Sequence, residues 1–168
     1  MSTSSLHRSV LVIACALILS ALNLMIFAKE RIVREGVNVY LALAPVDPRA
    51  ILQGDFMTLR FDLTTQLERV AALQSDAANG NANSAFRTAE ITLDQQSIAS
   101  LATADSSTKL RIRYRNRGGR IWLGTNAYFF QEGDAGRFEA ARFGHFKLSK
   151  KTGEAILIGL VDEDLRAL

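Results

Sequence analysis

The sequence predicts a small, mainly β (α+β) domain of antiparallel hairpins with one or two short helices, preceded by a single transmembrane helix. Three observations predict it. Residues 10–28 form an uncharged run of 19 residues near the N-terminus. Several later stretches alternate apolar and polar residues with period two, the signature of half-buried strands. Turn residues, including Asn116-Arg117-Gly118-Gly119 and Lys150-Lys151-Thr152-Gly153, punctuate those stretches at hairpin spacing.

The apolar run interrupts its hydrocarbon character only at Ser20 and Asn23. As a helix it spans about 28 Å, close to the roughly 30 Å of a bilayer core. A helix satisfies its own backbone hydrogen bonds and crosses lipid without penalty. A buried core helix is amphipathic as a rule, whereas this one is apolar all round. A cleavable signal peptide needs a shorter core and a small-x-small site, and here Lys29-Glu30-Arg31 follows directly. The loose lipobox Val12-Ile13-Ala14-Cys15 sits at the start of the run, not at its end. The predicted organisation is therefore an N-terminal head (1–9), an uncleaved anchor (10–28), a juxtamembrane linker (29–36) and a β-rich domain (37–168).

Orientation is argued from two opposing rules. Arg8 before the run against Lys29, Arg31 and Arg34 after it favours a domain on the cytoplasmic side. Large domains translocate largely regardless of charge, however, and an N-terminal anchor followed by such a domain commonly ends N-in. The second rule is adopted, with the domain extracytoplasmic.

Composition narrows the function classes. The chain has 168 residues, 20 Lys+Arg against 17 Asp+Glu, and a formal charge of +3. This excludes a wholly disordered chain and a polycationic nucleic-acid binder. A single Cys excludes an internal disulfide and a Cys-based zinc cluster, and two His exclude a His-rich metal site. No cofactor is expected.

Past the anchor, Val37, Val39, Leu41 and Leu43 alternate with smaller or polar residues as a strand, stopped by Pro45 and Pro48. Residues 57–63 read as a half-buried strand, with Met57, Leu59, Phe61 and Leu63 on one face. Residues 65–75 read as a short helix, 79–84 as a loop, and 90–94 with 98–101 as a strand pair. Residues 109–117 and 120–123 predict one hairpin, and 143–148 with 155–161 a second. Asp134 is placed to cap a helical turn through Ala141. Phe129, Phe130, Phe138, Phe143 and Phe146 concentrate in 18 residues and are assigned to core packing.

Two features invite a chemical reading. Asp47 and Asp55, eight residues apart in one loop, are read first as turn residues beside Pro48 and Gly54. As an acidic pair they are too few to hold a metal without other donors. The second feature is Lys109, Arg111, Arg113, Arg115 and Arg117, which a period of two places on one strand face opposite Leu110, Ile112 and Tyr114. Arg120 follows, with no acid from Ser106 to Gln131. The simplest reading is a solvated face countered by acids from neighbouring strands; the functional reading is contact with anionic lipid or an acidic partner. Nucleic acid is not expected. A Ser-His-Asp set from Ser97 or Ser149, His145 and Asp162 lacks a nucleophile elbow.

Gly54-Asp55-Phe56-x-x-Leu59-x-Phe61 resembles the signature of the GDYXXLXY family of bacterial membrane-anchored proteins, with Phe at both Tyr positions. Asp47-Pro48-Arg49 upstream and Phe129-Phe130-Gln131-Glu132-Gly133 downstream also resemble that family's segments, so the likeness runs over residues 37–168. Loss of two phenolic hydroxyls leaves ring packing as the role that carries over. The resemblance implies a bacterial inner-membrane location and a multi-spanning membrane partner, and no catalytic residues. The anchor followed by Pro48 and Gly54-Asp55 is also similar to type I signal peptidases. No Ser lies between Phe27 and Thr64, so the nucleophile of that chemistry is missing. The expected function is a non-catalytic, membrane-anchored binding or assembly module. The alternatives are an envelope structural protein meeting anionic lipid through strand 109–117, and a degenerate signal-peptidase-like β domain.

Overall fold

The computed structural model describes residues 3–44, 52–53, 56–75, 86–103 and 109–168. Asp47, Pro48, Arg49, Gly54, Asp55 and the loop 79–84 lie outside the described residues. The chain divides into two compact units, Met1–Glu35 and Gly36–Leu168.

The first unit is one helix, α1 (Thr3–Glu35). The expected linker at 29–36 is thus helical as far as Glu35. The Arg31 Nε donates to Glu35 Oε2 at 2.8 Å, an i,i+4 pair that supports the last turns, and Gly36 ends the helix. The large apolar side chains of the run from Val10 to Phe27 are all exposed. The segment Val10–Glu35 is long and apolar enough to cross a membrane.

Among its described residues, the second unit is built of antiparallel strands with one helix and one 3-10 turn. In chain order these are β1 (Val37–Ala42), β2 (Leu52–Gln53), β3 (Phe56–Thr58), α2 (Asp62–Ser75), β4 (Phe86–Leu93), β5 (Ala99–Leu101), β6 (Leu110–Arg117), β7 (Arg120–Trp122), β8 (Ala127–Phe129), the 3-10 turn Ala135–Ala140, β9 (Phe143–Leu148) and β10 (Ala155–Val161). Among the described residues they make three sheets, ordered β1-β9-β10, β2-β3-β8 and β5-β4-β6-β7.

Local chemistry explains the hairpins. Gly118 and Gly119 both take positive φ in the two-residue loop between β6 and β7, and Asn116 Oδ1 accepts from the Gly119 N–H at 3.1 Å. Between β4 and β5, Asp94 Oδ1 accepts from the N–H groups of Gln96 and Ile98, at 2.9 and 2.8 Å. β9 and β10 pair over the residues the alternation predicts, with a bulge between Leu157 and Gly159.

The larger sheets are stitched together by single backbone bonds. Tyr40 N–H donates to Ser97 O at 2.9 Å, joining β1 to the turn before β5. Arg113 N–H donates to Gly153 O at 2.6 Å, joining β6 to the β9–β10 turn. Gly153 has φ +69°, and a Cβ there would stand 3.0 Å from Arg111 O, so the close approach needs glycine. Between these seams Val39, Leu41, Ile91, Ile112, Phe146, Leu148 and Leu160 form a fully buried core.

Three local expectations change. The strand at 57–63 stops at Thr58, and α2 begins at Asp62, not at residue 65. Met57, Leu59, Phe61 and Leu63 are nevertheless all buried. Leu63 fits both periods, since it shares the buried side of the helix with Leu67. Thr64 Oγ1 donates back to Phe61 O at 2.6 Å, tying the helix start to the preceding backbone. The turn at 135–140 is 3-10, and Asp134 makes no side-chain cap bond there. Its carbonyl instead accepts from Arg137 N–H at 3.0 Å, while buried Phe138 pins the turn.

Candidate functional site

The signature segment builds part of the core and one outward sheet. Leu59 is buried, and Phe61, 1% exposed, packs edge-on to Phe146 at 5.2 Å between centroids. Phe61 also bridges to Leu43, which brings the end of the signature against the first strand. Phe56 behaves differently. It lies opposite Phe129 in the β3–β8 register, and the two rings stand 5.8 Å apart. Phe129 is 75% exposed, so its assignment to the core is corrected. Phe138 and Phe146 are buried as expected, and Phe130 packs against Phe138 at 5.3 Å. β8 is a strand, like the two-residue β2, that sequence reasoning missed. It has three residues and pairs with a partner some 70 positions away, so no local period marks it.

Glu132 is an exposed turn residue before Gly133, whose φ is +94°. It does not enter a buried acidic site.

The basic strand is the second outward feature. The register sets Phe86, Thr88 and Glu90 of β4 opposite Arg115, Arg113 and Arg111 of β6, and Trp122 of β7 opposite Arg115. Ile112 is buried on the other side, with Leu110 and Tyr114 packed against the core. Two of the cations are countered as the simpler reading expects: Lys109 pairs with Glu90 at 3.3 Å and Arg113 with Glu154 at 3.6 Å. Aromatic rings hold Arg113 as well, and Arg115 and Arg117 besides. The guanidinium carbons of Arg113 and Arg115 stand 4.2 and 4.0 Å from the Phe86 ring centroid, and that of Arg117 stands 5.6 Å from Trp122. Arg115 Nε is buried without a hydrogen-bond partner. The role of Phe86 was not legible in sequence, because which β4 residue faces Arg115 depends on strand register.

His145 sits on β9, stacked on Tyr40 at 4.9 Å, with Nε2 3.2 Å from Asn38 Oδ1. Burial, and secondly the charge of Lys147, hold its pKa below the usual imidazole value. Its partners are thus an amide and a phenol ring, not the serine and aspartate of a hydrolytic triad. Asp162 is engaged in its own turn, where Oδ1 accepts from Asp164 and Arg166 N–H groups at 3.0 and 2.9 Å. Among the described residues no group of three or more His, Cys, Asp or Glu side chains is placed to hold a metal ion.

The chain thus joins a helix long and apolar enough to span a membrane to a mainly antiparallel β unit with a packed interior, on which an aromatic pair and a cation–aromatic cluster lie outside the core. The chain belongs to the GDYXXLXY protein family, whose sequence profile matches residues 18–160, most of the chain and part of the helix included. Searches of curated proteins and of solved structures return no match.

Proposed function

We propose that this protein is a non-catalytic binding or assembly module, held at a bacterial inner membrane by α1 with its β domain on the extracytoplasmic side. In this reading it assembles with a multi-spanning membrane protein. The observation that carries the reading is Phe129: a ring 75% exposed, beside Phe56 of the family signature, on a sheet whose middle strand comes from the signature. An aromatic residue left in water next to a second ring is the composition of an interface centre. Met57 within that strand, and Leu59 and Phe61 just after it, are buried and tie this segment to the core.

The test is purification of the full-length protein from its membrane in mild detergent, with a photo-crosslinker at position 129. A stoichiometric multi-spanning partner that crosslinks through position 129, and whose co-purification without crosslinker is lost in Phe129→Asp, supports the proposal. A lone chain with no crosslinked product overturns it. A C-terminal reporter active only outside the cytoplasm tests the orientation, and a silent fusion reverses that part of the reading.

A further inference from the structure

The outer face of the β5-β4-β6-β7 sheet is not used by the proposed partner contact, and its chemistry is distinctive. Arg111, Arg115, Arg117 and Arg120 have no carboxylate within ion-pair distance among the described residues. Arg117 and Arg120 are directly paired across the β6–β7 turn. Like charges placed so repel each other and destabilise a hairpin unless an anion or water separates them. Phe86, 54% exposed, and Trp122 lie among these cations. Two guanidinium groups share the Phe86 ring, which fixes them as flat, pre-oriented donors.

We propose that this face binds the anionic headgroups of phospholipids in the bilayer that α1 spans. Charge complementarity supplies the attraction, and Arg offers paired donors to phosphate oxygens. The cations from Arg111 to Arg117 run along about 20 Å of strand, at roughly 3.4 Å per residue, which matches a row of headgroups better than a single phosphate. Tryptophan beside the arginines is a side chain that settles at a headgroup boundary. Residues 29–36 are the whole tether between the last residue of the apolar run and β1, so the domain stays within reach of the surface.

Trp122 is the single tryptophan of the chain, so its fluorescence reports this face alone. Full-length protein is placed in nanodiscs of phosphatidylcholine, or of phosphatidylcholine with phosphatidylglycerol. Emission and quenching by brominated lipid are then measured. The expected result is a blue shift and at least twofold stronger quenching in the anionic discs, reversed at high salt, where charge interactions are screened. Arg117→Gln with Arg120→Gln, at the exposed turn, is expected to lose at least half of that difference while keeping the wild-type circular dichroism. Arg113→Gln with Arg115→Gln is expected to lose more, but it also removes packing on Phe86, so the turn variant decides. Equal quenching in both discs overturns the proposal, as does a turn variant equal to wild type. A shift produced by soluble polyglutamate without any lipid response also overturns it, in favour of an acidic polypeptide.

Discussion

Phe61 lies directly over Gly144: a Cβ at Gly144 would stand 2.8 Å from Phe61 Cε1, and 2.9 Å from Phe146 Cε2. The signature therefore ends in a ring that occupies the space a side chain on β9 would need. Gly144→Ala is expected to destabilise the β domain by about 1–3 kcal/mol, because both rings are fully buried and have no room to withdraw. Denaturant unfolding of the full-length protein in detergent measures it; a change under about 0.5 kcal/mol contradicts the packing argument.

The two phenylalanines that stand where the family signature has tyrosines are not equivalent. Phe56→Tyr adds a hydroxyl to a half-buried ring beside the exposed Phe129, and is expected to change stability by less than about 0.5 kcal/mol. Phe61→Tyr puts the hydroxyl into the core, with an expected loss of about 1–3 kcal/mol for a polar group without a partner. Parallel melting curves of the two variants distinguish them, and equal losses contradict the assignment.

Glu68 of α2 covers the free edge of β7, since its Oε1 accepts from the Ile121 N–H at 2.9 Å. Glu68→Ala leaves that N–H beside buried Ile121 without an acceptor and is expected to cost about 1–3 kcal/mol. Glu68→Gln retains an acceptor and is expected to recover most of the loss. Its 4.0 Å approach to the exposed Arg60 contributes little, so Arg60→Gln is expected to be near neutral.

His145 links stability to pH. Its folded pKa lies below the value of a free imidazole, so the unfolded chain takes up a proton first as pH falls. Its contribution is therefore fully present above about pH 6.5, and falls progressively below that until the folded ring also protonates. The groups facing it are Tyr40, Asn38 and Lys147. A scan of melting temperature from pH 8 to 5 is expected to show a decline below about 6.5 that is shallower in His145→Gln. An unchanged slope in that variant removes His145 as the cause.

Phe129→Ser should separate stability from binding. A side chain 75% exposed contributes little to folding, so the melting temperature is expected to stay within a few degrees of wild type. Recovery of the membrane partner is expected to fall at the same time. A large fall in melting temperature shows the ring to be structural instead.

The hairpins were legible because their signals are local. The turn at Gly118-Gly119 and the alternation over β9 and β10 each lie within a few residues of the strands they join. The helical continuation of α1 past residue 28 is not legible locally, because the charged residues 29–35 suit a linker as well as a helix held by an Arg31–Glu35 pair. The strand–helix switch at Asp62 was missed because Leu63 satisfies both periodicities. The basic face was legible as a face, but its aromatic companions were not: Phe86 meets Arg115 through a register between strands nearly 30 positions apart.

Sequence alone determined that an apolar helix precedes a β-rich unit, that the cations concentrate between residues 109 and 120, and that the family signature is present. These are properties of composition and short-range period, and they survive any arrangement of the strands. Only the tertiary structure decided that Phe61 goes inward over Gly144 while Phe56 meets an exposed Phe129. It also decided that Arg113 and Arg115 rest on one phenyl ring. The reason is that strand register is a long-range quantity: a one-residue slip exchanges every inward and outward side chain, and the buried core chooses among the slips.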